Sequence, residues 1–160
     1  MKCIIIAITM LVFLSSTCSL VAANGTHDQK PDIEYLKNNF DSLYTSDTVL
    51  FWEVLHDAAE QIKRKDVKLI ASVMEISFFV KGNAEVSEFF SELFEPFCIS
   101  NSEICLKALT TLKAQYQSSF LDRMRQPLFV SKTEIDKIFS NNRHNESYNK
   151  IIKLYFKEEK

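Results

Sequence analysis

Few side chains in this chain could do chemistry, and their spacing decides what kind. The three histidines, His27, His56 and His144, are far apart in sequence. None stands in an H-x-x-x-H or H-E-x-x-H setting, which would put two metal-ligating groups on one helical face. Gly25 and Gly82 are too few for a phosphate-cradling loop, a dinucleotide fingerprint or a G-x-S-x-G elbow. His56 beside Asp57 supplies half of an acid–base pair at most; a surface His next to a surface Asp is the ordinary reading. These residues name no catalytic group, no metal ligand and no cofactor. The chain reads as a binding protein rather than an enzyme.

The remaining chemistry is covalent and suits an extracellular setting. Lys2, the apolar run Ile4 to Phe13 and the small-residue stretch ending in Val21-Ala22-Ala23 have the layout of a secretory signal peptide over residues 1–23. The run is too short for a membrane span. Cleavage after Ala23 would leave one secreted domain, 24–160. No later stretch approaches the roughly 18 apolar residues of a spanning helix, so no membrane insertion is expected. Cys3 and Cys18 leave with the signal, and Cys98 and Cys105 remain. In an oxidising compartment they could close a small ring between neighbouring helices; free buried thiols or an intermolecular bridge are the alternatives. A metal site there is not expected, because no His is near in sequence. Asn24-Gly25-Thr26 and Asn145-Glu146-Ser147 are acceptor sequences for N-linked glycans.

The elements that must position these groups read as helices. Lys and Arg number 19 against 21 Asp and Glu, and this near balance argues against a general nucleic-acid or polyanion binder. Two Gly and three Pro leave few turn-formers, which with helix-period segments predicts an all-α domain. Thirteen Phe are many; core and interface packing is their commoner use, and a ligand cavity the other.

Pro31, Asp32 and Glu34 suit a helix start, and Ile33, Leu36, Phe40 and Leu43 share one face of a first helix over 32–43. Tyr44 to Asp47 reads as a connector in which Ser46 or Asp47 caps the second helix. There Leu50, Val54, Leu55, Ala58 and Ile62 make the stripe, widened by Phe51 and Trp52. A third helix, Val67 to Val80, ends at Lys81-Gly82. Asn83 caps a fourth, with Val86, Phe89, Phe90, Leu93 and Phe94, expected to stop at Pro96. Ser100-Asn101-Ser102-Glu103 has the spacing of a capping box before a fifth helix bearing Cys105, Leu109, Leu112, Tyr116 and Phe120. After Pro127, Ser131-Lys132-Thr133-Glu134 is a second box, opening a sixth helix with Ile135, Ile138 and Phe139. A break near Asn141 follows, with Asn145 recapping a last helix that places Tyr148, Ile151, Ile152 and Tyr155 on one face.

The third helix raises a question of cover. All of Val67 to Val80 is apolar except Lys68, Ser72, Glu75 and Ser77. A helix apolar nearly all round must be enclosed on every side. One chain of this size has little protein to spare for that, which points to a second chain and predicts a homodimer with no stable folded monomer.

Several strings resemble interferon gamma, a secreted helical cytokine. Asp32-Ile33-Glu34-Tyr35-Leu36-Lys37-Asn38-Asn39-Phe40 resembles the family's first helix, and Val49-Leu50-Phe51 through Leu55 its second. Lys65-Asp66 through Ser72 to Ser77-Phe78-Phe79 is similar to the third. Leu109-Thr110-Thr111-Leu112-Lys113 with Phe120-Leu121 resembles the fifth, and Thr133-Glu134-Ile135 the entrance to the sixth. The resemblance implies a six- to seven-helix cytokine bundle, intertwined as a homodimer. It also implies action in immune and antiviral defence through a cell-surface class II cytokine receptor. Receptor contacts would fall on Leu43, Tyr44, Thr45, Ser46, Asp47 and the start of the second helix, with a weaker contribution from Arg143 and His144. Departures are visible. The family's basic tail is absent, the chain ending Phe156-Lys157-Glu158-Glu159-Lys160. Ser140-Asn141-Asn142-Arg143-His144 replaces its glutamine-basic-basic-alanine stretch, Lys81 to Ser100 is long, and the cysteine pair is not a family hallmark. The alternatives are another class II cytokine of the interleukin-ten group and a secreted helical carrier holding an apolar ligand between the Phe-rich third and fourth helices.

Overall fold

The computed structural model describes residues 31–80 and 82–157. Residues 1–23, read above as a signal peptide, and Asn24 lie outside the described residues. The elements are α1 (Ile33–Asn38), α2 (Phe40–Ser46), α3 (Thr48–Ile62), α4 (Val67–Ile76), α5 (Ala84–Ser100), α6 (Ser102–Thr111), α7 (Ala114–Met124), α8 (Lys132–Asn141), a 3₁₀ turn (Glu146–Tyr148) and α9 (Asn149–Phe156). No strand occurs among the described residues, so the all-α class holds. The helices outnumber the expected six or seven because two of the expected ones are each broken once.

Both breaks have a local cause. Asn39 leaves helical geometry at φ −126°, ψ 22°, and its side-chain amide donates to the Tyr35 carbonyl at 2.9 Å. Short polar side chains compete with the helix for backbone partners in this way. The apolar stripe crosses the break intact, with Leu36, Phe40 and Leu43 buried. In the second case the Thr110 and Thr111 hydroxyls donate back to the Lys107 and Ala108 carbonyls at 2.7 Å each. Leu112 and Lys113 then turn extended, both at ψ 151°. Buried Gln117 reaches back from α7, its Nε2 donating to the Leu109 carbonyl at 3.0 Å and satisfying an acceptor at the end of α6.

Three boundaries also differ from the sequence expectation. α5 runs through Pro96 to Ser100. Pro96 has no N–H to offer Glu92, but both residues are exposed, so water reaches the released carbonyl. The proposed box at Ser100 does not form, because Ser100 is the last residue of α5 and Asn101 takes the cap position of α6 with no side-chain bond. The third helix stops at Ile76 rather than Val80 and passes through a turn at residues 77–79. Gly82, at φ +82°, supplies the left-handed backbone that precedes the Asn83 cap of α5. The second capping box is present: Ser131 and Glu134 bond reciprocally at the start of α8. Asn145 caps the 3₁₀ turn through the Ser147 N–H at 3.0 Å, leading into α9.

Within the chain, α4 is enclosed by neighbouring helices. The polar residues Lys68, Ser72 and Glu75 fall at i, i+4 and i+7 and so share a face. That face meets α1. Lys37 Nζ bonds Glu34 at 2.6 Å and Glu75 at 2.5 Å, and Ser72 Oγ approaches Glu34 at 3.3 Å. Burial works against the Lys37 charge, but the two carboxylates outweigh it and raise its pKa. The other faces are closed by α3, α6 and α7, leaving Ile70, Val73, Met74 and Ile76 fully buried. A helix with a polar stripe needs less cover than one apolar all round. Among the described residues the exposed large apolar side chains are Tyr35, Val49, Leu128, Phe129 and Leu154, none of them on α4.

Phe rings fill one another's space. Phe90 and Phe94 stack at 6.0 Å, Phe120 meets Phe94 edge-on at 5.2 Å, and all three are wholly buried. Cys98 and Cys105 are joined, with their Cα atoms 5.3 Å apart across the α5–α6 turn. This resolves the three alternatives in favour of the small ring. Such a ring contributes about 2–3 kcal/mol, chiefly by restricting the unfolded chain.

Candidate functional site

The residues taken from the resemblance lie in two groups held by different neighbours. Leu43 to Asp47 end α2, which packs on α1 and α3. The expected connector is therefore mostly helix, and Asp47 alone links α2 to α3, accepting from the Leu50 N–H at 3.1 Å as its cap. Leu43 is 6% exposed and belongs to the core. Tyr44 is half-buried; its ring meets Phe51 edge-on at 5.1 Å and its hydroxyl donates to Glu85 at 2.9 Å. Thr45, Ser46 and Asp47 are exposed. The Thr45 hydroxyl donates to the Asp41 carbonyl at 2.8 Å, so it is held on its own helix. Arg143 and His144 follow α8, whose main neighbours are α5 and α9, and both are exposed. The Arg143 guanidinium lies 4.5 Å over the Phe156 ring.

Three features escaped the sequence reading. The first adjoins α2. Thr48, Val49, Trp52, Glu53, His56 and Asp57 line an open depression of about 750 Å³ along the outer face of α3. Val49 is 72% exposed there. Trp52 and His56 each contact the Phe89 ring, at 5.5 and 5.2 Å, and His56 Nδ1 sits 2.8 Å from the Trp52 carbonyl. The extra width of the second helix's apolar stripe at Phe51 and Trp52 was the available signal.

The second is Glu95, wholly buried on α5. Its Oε1 accepts from the Leu128 N–H at 2.8 Å, and its Oε2 from Phe129 at 2.7 Å and Val130 at 3.2 Å. One carboxylate thus pins the connection from α7 to α8, whose Leu128 and Phe129 side chains face solvent. The third is polar. Arg123 on α7 donates through Nη1 to the Ser87 carbonyl at 2.8 Å and to its hydroxyl at 2.6 Å. Burial lowers the Arg123 pKa and the nearby Glu95 charge partly offsets this.

Among the described residues no group of three or more His, Cys, Asp or Glu could hold a metal ion, and no helix is long and apolar enough to cross a membrane. Compared with protein-family models, curated proteins and solved structures, the chain matches none.

Proposed function

We propose that this chain is a secreted, interferon-gamma-like helical cytokine that signals in immune and antiviral defence by engaging a class II cytokine receptor. The observation that carries the reading is the arrangement of the bundle. The helix that resembles the family's third is the enclosed one, and the end of α2 offers an exposed rim supported by α1 and α3. Recognition commonly sits on such edges of a rigid scaffold. The receptor surface would comprise Tyr44, Thr45, Ser46 and Asp47 with exposed Val49, while buried Leu43 positions Tyr44 rather than touching the partner. Arg143 and His144 would add a weaker contact. The protein acts by binding, with no catalytic step and no cofactor. Glycans at Asn24 and Asn145 belong to the same proposal.

The intertwined homodimer belongs to the same proposal, supported by the resemblance and by the long apolar run of Val67 to Val80. Exchange remains physically compatible with the bundle. α8 and α9 pack on α5, α6 and α7, and two chains trading these segments would preserve the same contacts.

Binding to interferon-gamma receptor ectodomains tests the assignment. Tyr44→Ala should weaken it by about 1–3 kcal/mol if Tyr44 anchors the interface. Tyr44→Phe, which keeps the ring against Phe51, should lose less. Equal affinity in wild type and Tyr44→Ala, both folded by thermal melting, would move the contact elsewhere. No binding to those ectodomains, with binding to interleukin-ten-type receptors, would favour that group instead.

A further inference from the structure

Where α5, α7 and the turn after α4 meet, polar side chains converge on an opening of about 370 Å³. α5 contributes Ser87 and Ser91 and α7 contributes Ser119 and Arg123, each pair at i and i+4 and so on one face of its helix. The turn contributes Ser77. Ser77 is 2% exposed and Ser91 1%, yet neither hydroxyl has a hydrogen-bond partner. The Arg123 Nε–H is buried and unpartnered as well. Ser119 is spent on the Ser77 carbonyl at 3.0 Å, and Nη1 of Arg123 on Ser87.

Leaving a buried donor unpaired costs about 1–3 kcal/mol, and more for a charged group. All three groups belong to residues around one opening, and an acceptor from outside the chain would satisfy them. A guanidinium edge with hydroxyls around the same opening offers the kind of donors an oxyanion uses, and charge-assisted bonds of this kind are the stronger ones. The two acids nearby are engaged. Glu95 turns its oxygens to the Leu128, Phe129 and Val130 N–H groups, and Asp122, at the exposed edge, pairs with Arg125.

We propose that this cavity binds a small oxyanion of the phosphate or sulfate class, held by the Arg123 Nε–H and the Ser77 and Ser91 hydroxyls.

The test uses the whole secreted chain and inorganic phosphate or sulfate, with sodium chloride at equal ionic strength as reference. Phosphate at tenfold its Kd should raise Tm by about 3–6 °C over the chloride control. It should also shift the Arg123 Nε–Hε resonance in a saturable way. Arg123→Gln should abolish the stabilisation by phosphate, but it also breaks the bonds to Ser87 and could disturb folding. Ser91→Ala removes only an unpartnered hydroxyl, so it should fold at least as well as wild type while binding phosphate about tenfold more weakly. The proposal fails if phosphate and sulfate stabilise no more than chloride and the Arg123 resonance stays still. Undiminished phosphate binding by Ser91→Ala would equally remove the site as assigned.

Discussion

Glu95→Ala should cost this protein about 3–5 kcal/mol, a large part of the 5–15 kcal/mol that usually holds a domain together. The cost comes from the other side of the bonds. Three backbone N–H groups, of Leu128, Phe129 and Val130, lose one acceptor at once. Each forfeits about 1–3 kcal/mol if it stays desolvated, and less where the loosened loop lets water in. Glu95→Gln keeps one acceptor oxygen but turns an amide N–H₂ toward the same donors, so it should fall between wild type and Ala. Urea unfolding measures the loss, and limited proteolysis within residues 126–131 reports whether the loop is what comes free. A midpoint within 1 kcal/mol of wild type for Glu95→Ala would show that the clasp is dispensable.

Glu95 also shows why the sequence was only partly legible. The apolar stripes were readable because burial follows the 3.6-residue period: Leu36, Phe40, Val54, Leu55, Phe90, Phe94, Ile135 and Ile138 all lie inside as the spacing requires. Asp47, Asn83 and Ser131 were recognisable as caps, since their side-chain acceptors act within three residues. What could not be read depended on partners distant in sequence. Glu95 stands next to Pro96, where a helix end was expected, and its partners are loop amides more than 30 residues away. The split of the fifth helix turned on threonine hydroxyls folding back and on Gln117 crossing the gap, neither of which disturbs apolar spacing. The polar stripe on α4 was visible in the positions of Lys68, Ser72 and Glu75. Counting apolar residues without placing them hid it. Of the candidate contact residues, Leu43 fell inside because its own stripe continues through α2.

Ile151→Asp together with Ile152→Asp is expected to leave no folded protein. Ile151 is 1% exposed and Ile152 3%, on the face of α9 that meets α6, α7 and α8. Each substitution forfeits about 1.5–3 kcal/mol of apolar burial. Each also places a carboxylate where desolvation costs several kcal/mol more. The pair therefore exceeds the stability of an ordinary domain. Circular dichroism and the loss of a cooperative melt check it; a cooperative transition in the double variant would mean that α9 is not integral to the core. The milder Ile151→Ala, costing about 2–5 kcal/mol, separates the two modes of assembly. In an exchanged dimer the Tm of wild type and variant should rise with protomer concentration. A Tm independent of concentration, with light scattering giving a compact monomer, would refute the intertwined arrangement while leaving the receptor proposal standing.

The unequal enclosure of the helices sets where the molecule can breathe. Amides from Ile70 to Ile76 are walled in by four other helices and open only when most of the bundle does, so their hydrogens should exchange with solvent at rates near those of global unfolding. α1 and α2, six and seven residues long on either side of Asn39, are far below the length at which a helix persists by itself. They owe their form to one packed face, where Leu36, Phe40 and Leu43 are buried. The edge proposed to meet a receptor thus takes its shape from side-chain packing rather than from helix length, and is held as firmly as those three side chains hold it.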